Sequence, residues 1–267
     1  MLGFLGPNGA GKTTAMRAIF GLVRLDSGQV TWNGSSVGDE DRSRFGYMPE
    51  QRGLYPKMRA REQLAYFARI HGVEKVAASE SATRWLEVLG LADRADDSLE
   101  TLSHGNQQRV QLAATLVHDA DLLVLDEPFS GLDPIGVDTM ADVLQRESAQ
   151  GKGVVFSSHQ LDLVEDLCDD VAIINHGRIV LSGSVKILRD ASPLRRLELE
   201  MAGSADTVLS HLDGIHSAEV EDGRHVLMID AATDVRRVLA EAESSGTVRH
   251  FIYTTPTLTD LFREAVA

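Results

Sequence analysis

Residues 6–13 read GPNGAGKT and fit the pattern G-x-x-x-x-G-K-[ST]. Gly6, Gly9 and Gly11 free the backbone to turn its N–H groups inward, making an anion nest where a helix begins. Lys12 has the reach and charge for the outer phosphates of a nucleotide, and Thr13 can offer its hydroxyl to Mg²⁺. Pro7, Asn8, Ala10 and Thr14 complete the binding loop. Such a loop needs a strand before it and a helix after it. Leu2, Phe4 and Leu5 supply a short strand, and AMRAIFGL supplies the helix.

A second set of residues closes the stretch LLVLDEP, 122–128. Four apolar residues predict a fully buried strand, and two carboxylates stand where it ends. Parallel α/β sheets bind ligands at the carboxyl ends of their strands. Asp126 is therefore suited to hold Mg²⁺ through water, and Glu127 to polarise an attacking water.

The elements that must position these residues alternate. Short apolar runs and glycine-rich turns, with a strand in SGQVTWNG, occupy residues 1–50. Residues 58–120 read as helical, because REQLAYFARIHG, SATRWLEVLGL and VQLAATLVHDA place apolar residues three and four apart. From residue 121, DLLVLDEP, GVVFSSH, VAIINHG and RIVLSG read as strands, with helices GVDTMADVLQRESAQG and LDLVEDLCDD between them. The fold class expected is α/β, a mostly parallel sheet with a helical insertion. Ser192-Pro193 marks a linker, giving a first domain over 1–190 and a second over 193–267. The second reads strand, helix (SADTVLSHLDG), strand, strand, helix, strand, then a closing helix. Its first six elements follow the ferredoxin-like β-α-β-β-α-β order.

Bulk properties narrow the partners. A formal net charge of -14 argues against a sequence-independent grip on nucleic acid, which needs a basic surface. With Cys168 as the single cysteine, no intrachain disulfide can form. Mean hydropathy of -0.10 suits a soluble globular chain, and no apolar run has the length of a membrane span.

These motifs, in this order, resemble the ATP-binding-cassette (ABC) ATPases, specifically the nucleotide-binding subunits of exporters. The resemblance covers residues 1 to about 190. LSHGNQQRV, 102–110, is similar to the family signature LSGGQ, with His104 in place of the second glycine and Asn106 in place of glutamine. It implies that Ser103, Gly105 and Asn106 open a helix whose N-terminus meets the γ-phosphate held by a partner subunit. His104 is expected to face solvent and is given no role. Gln51 resembles the Q-loop glutamine, a Mg²⁺ sensor that links to the membrane partner. SGLDP, 130–134, resembles the D-loop, with Asp133 acting across a dimer interface. His159 matches the switch histidine on the γ-phosphate.

The resemblance implies ATP and Mg²⁺ as cofactors, a head-to-tail second ATPase subunit and a separate permease, with the chain peripheral on the cytoplasmic face of the membrane. The tail is similar to a small domain of drug- and sodium-export subunits that closes with PTLTDLF, 256–262; a packing role is expected of it. Family members begin with two further strands and an adenine-stacking aromatic. Here both are expected to be missing, and Phe4 is expected to be core. Two rival readings remain: a soluble cassette ATPase without transport, and a nucleotide-binding regulatory subunit with little turnover.

Overall fold

The computed structural model describes residues 1–51, 53–202, 214–221 and 223–266. By packing, the chain divides into two compact units, 1–182 and 183–267. Residues 183–190, which the sequence assigns to the end of the first domain, belong to the second unit.

The first unit is built on a six-stranded sheet. In chain order its strands are β1 (Leu2–Leu5), β4 (Phe45–Met48), β5 (Leu122–Leu125), β6 (Gly153–Phe156), β7 (Asp170–Asn175) and β8 (Arg178–Ser184). In space they run β4-β5-β6-β1-β7-β8. All pairs from β4 to β7 are parallel. A two-residue turn, with His176 at φ 48° and Gly177 at φ 74°, leads from β7 into β8. Positive φ at both positions is what a type I′ hairpin turn requires. The sequence SGQVTWNG supplies only β2 (Thr31–Trp32), which forms a small antiparallel ribbon with the next segment, β3 (Ser35–Ser36).

Every residue of β5 is buried, as expected of an apolar strand paired on both edges and covered on both faces. Helix α1 (Lys12–Ile19) presents Met16 to Phe45, Leu122 and Val124, and Phe4 packs onto the same cluster. Phe4 is thus partly buried and packed against the core. After the short helix α2 (Asp39–Ser43), three helices form the expected insertion: α3 (Ala60–Ile70), α4 (Lys75–Val88) and α5 (His104–Leu116). Helices α6 (Pro134–Ala149) and α7 (Leu161–Leu167) connect the later strands.

The second unit opens with α8 (Val185–Ala191) and contains β9 (Leu194–Ala202), β10 (Ile215–Glu221), β11 (Arg224–Asp230) and β12 (Thr247–Thr254). They form an antiparallel sheet ordered β10-β11-β9-β12. The expected helix SADTVLSHLDG lies outside the described residues except for Gly214. Helix α9 (Val235–Ser245) covers Leu197, Leu199, Leu227 and Ile229 with Val238 and Ala242. Helix α10 (Leu258–Val266) carries the PTLTDLF segment. Thr257 and Asp260 cap it reciprocally, Leu258 and Leu261 are buried, and Arg189 donates to the Pro256 carbonyl at 2.7 Å. Thr257, Leu258, Asp260 and Leu261 of that segment thus serve to cap or bury the helix.

Candidate nucleotide site

The loop 6–13 links β1 to α1 at the carboxyl edge of the sheet. Gly6 is required by close approach, because a Cβ there would stand 2.3 Å from the Ile174 carbonyl oxygen. Gly11 caps α1 at φ 110°, a conformation that side-chain-bearing residues rarely adopt. Lys12 is buried, and its Nζ donates to the Gly6 carbonyl at 2.7 Å.

Across the cleft, Asp126 is almost wholly enclosed and accepts two hydroxyl bonds. Thr13 Oγ1 donates to Oδ2 at 2.6 Å and Ser157 Oγ donates to Oδ1 at 2.7 Å. The same Ser157 oxygen accepts the Glu127 N–H at 2.9 Å, so one residue directly after β6 holds the Asp126 side chain and the Glu127 backbone. Glu127 has φ 52°, in the left-handed region, a conformation that surrounding contacts must hold. His159 Nε2 lies 3.3 Å from Glu127 Oε1. Burial pushes the Glu127 carboxyl above the ordinary carboxylate range, opposed by the positive charges of His159 and Lys12. A raised carboxyl is a better proton acceptor near neutral pH.

The cleft is lined by Pro7, Asn8, Gly9, Gly11, Lys12, Thr13, Thr14, Asp126, Glu127 and His159, together with Glu50. Gln51 is exposed and does not line it; the residue facing the cleft is its neighbour. The cause is the register of β4 on β5. Met48 pairs with Leu125, and the Asp126 N–H donates to the Met48 carbonyl at 2.8 Å, which carries Pro49 and Glu50 to the cleft edge. Ala10 is buried beneath the loop, its N–H donating to the Pro7 carbonyl. The facing donors of Thr13, Asp126 and Glu50 are all oxygens, the set that suits Mg²⁺.

Ser103, Gly105, Asn106 and Asp133 do not line this chain's own cleft. Ser103 caps α5 by accepting the Asn106 N–H at 3.3 Å. Asp133 caps α6 by accepting the Gly136 N–H at 2.8 Å. His104 is exposed, as expected, but one side of its ring covers Gly131, where a Cβ would come within 2.6 Å of Nδ1. The sequence reading missed Ser157, Glu50 and the buried Gln108 and Gln111. The only available signal was polarity, in serines directly after a strand and glutamines within a buried helix.

A glycine nest at a helix N-terminus, a buried lysine and a carboxylate pair at a strand end define a phosphate-loop nucleotide-binding protein. The comparisons make that assignment specific. The ABC transporter family matches residues 1–130, and the C-terminal domain described as ATP-binding protein DrrA1-3-like matches 183–266. YhaQ of Bacillus subtilis, an uncharacterized ABC transporter ATP-binding protein, is 37% identical over 267 residues, spanning 100% of this chain and 89% of YhaQ. The linearmycin resistance ATP-binding protein LnrL of the same organism is 37% identical over 185 residues, 68% of this chain and 60% of LnrL. A solved structure of an ATP-binding subunit of an ABC transporter matches with TM-score 0.65 and 29% identity, over 71% of this chain and 80% of that one. The chain belongs to the ATP-binding subunits of ABC transporters. Among the described residues no helix is long and apolar enough to cross a membrane.

Proposed function

We propose that this subunit hydrolyses ATP with Mg²⁺ in a head-to-tail pair of ATPase subunits, and that the cycle drives export through a separate permease. The observation that carries the reading is the geometry of the cleft, where Glu127 stands 3.3 Å from His159 beside Lys12, Thr13 and Asp126. Loop N–H groups and Lys12 hold the phosphates. Thr13, Asp126 and Glu50 would hold Mg²⁺, with Glu50 taking the part the sequence assigns to Gln51, and the metal would supply neutralisation of charge developing on the phosphates. Glu127 accepts a proton from the attacking water, and His159 orients it.

Because Ser103, Gly105, Asn106 and Asp133 stand outside the chain's own cleft, they are available to nucleotide held by a second subunit. Exposed Tyr55 follows the 49–51 loop and stacks on Phe67 of α3 at 6.2 Å, and Tyr66 and Ile70 are exposed on the same helix. That aromatic surface suits a permease contact, and the name of LnrL supports an export role.

The test is Glu127→Gln beside a Lys12→Ala control. Glu127→Gln should bind ATP normally and lose about 10²–10⁴ in turnover; Lys12→Ala should lose binding. Parental turnover in Glu127→Gln would refute the reading.

A further inference from the structure

Helix α5 does more than present Ser103 at its first turn. Two buried glutamines, 108 and 111, sit one helical turn apart on the face turned toward the sheet. Gln108 Nε2 donates to the carbonyl of Glu127 at 3.2 Å and to that of Pro128 at 3.0 Å. Gln111 Nε2 donates to the carbonyl of Pro49, the residue before Glu50. The helix therefore holds the backbone of both loops that put carboxylates into the cleft.

The grip on Glu127 matters because of its backbone. A non-glycine residue in the left-handed region stays there only when contacts on both sides fix it. On the N–H side that contact is Ser157, part of the sheet edge. On the carbonyl side the local Ser130 N–H donates at 3.2 Å, and the contact from outside the turn is Gln108, which belongs to the helical insertion and also holds the Pro128 carbonyl. The direction of the Glu127 side chain thus depends on two different parts of the unit. Further along, α5 follows the same segment: the His104 ring covers Gly131, Gly105 faces Leu132, and Arg109 lies 3.6 Å from Asp133.

We propose that Gln108 is a positioning residue for Glu127, coupling the placement of α5 to the aim of the carboxylate. The amide holds the 127–128 backbone in its left-handed turn, so Glu127 addresses the cleft only while α5 is docked against that segment. Movement of the α5 N-terminus on engaging a partner's nucleotide is thereby felt at the hydrolytic carboxylate of its own subunit. This inference rests on the proposed role of Glu127, and its test separates the two.

Gln108→Met keeps the length of the side chain and removes the donor. In the full chain, steady-state ATP hydrolysis should show kcat reduced at least tenfold, since small misplacements of reacting groups cost up to about a hundredfold, with KM for ATP within about threefold of the parent. In a Glu127→Gln background, adding Gln108→Met should reduce the residual turnover no further, because the two changes remove one function. If Gln108→Met does not fold, Gln108→Asn keeps the amide but cannot reach both carbonyls, and the same kcat loss at unchanged KM is expected. Unchanged kcat in a folded variant, or losses that multiply in the double variant, overturn the proposal. A Glu127→Gln protein with parental turnover instead overturns the role of Glu127.

Discussion

Acid should destabilise the first unit through one histidine. The rings of His71 and His118 stack with centroids 3.9 Å apart, and His118 Nε2 lies 3.3 Å from the Phe45 carbonyl. Burial first, then the stacked His71, hold the His118 imidazole down at about 4 against an ordinary 6.5; the Phe45 carbonyl opposes them, and Lys152 and Asp119 contribute less, in opposite senses. The folded state keeps this ring neutral, whereas the unfolded chain protonates it below about pH 6.5. Its contribution is complete above pH 6.5 and falls as the pH drops toward 4. At about 1.36 kcal/mol per pH unit the full contribution is about 3 kcal/mol, of which about 2 kcal/mol is lost between pH 7 and pH 5. The assay is urea unfolding at a series of pH values, read by tryptophan fluorescence. Both tryptophans, Trp32 and Trp85, lie in the first unit, so the signal reports it. His118→Phe keeps a ring against His71 but cannot titrate, and its stability should fall less over that range by about 2 kcal/mol. Equal losses in parent and variant would refute the argument.

Two further outcomes test the cleft. Glu50→Ala should weaken Mg²⁺-dependent nucleotide binding, measured by calorimetry with and without the metal, while Gln51→Ala should bind like the parent. The reverse result would return the role to Gln51. Gly6→Ala places a methyl group 2.3 Å from the Ile174 carbonyl oxygen. The loop must shift to relieve it, so the variant should lose ATP affinity and about 1–3 kcal/mol of stability, seen in ligand-dependent melting.

How much of this was legible in the sequence differs from residue to residue. The phosphate loop was legible because its chemistry is local: glycines at fixed spacing make the nest, and the lysine and threonine follow within the same turn. Asp126 and Glu127 were legible because an unbroken apolar run ending in two acids has few other uses in a parallel sheet. Strand β4 was not identified, since FGYM is too short to show a period and is made a strand by pairing with β5. The choice between Glu50 and Gln51 was likewise closed to sequence reasoning. Adjacent polar residues in a loop look alike until a strand register decides which one faces the cleft. Ser157 and Gln108 lie 31 and 19 residues from their partners. Nothing local distinguishes a hydroxyl or amide that will orient a carboxylate from one that meets water. Burial against a distant segment removes the competing solvent, and only the packed sheet and helix bring those segments together.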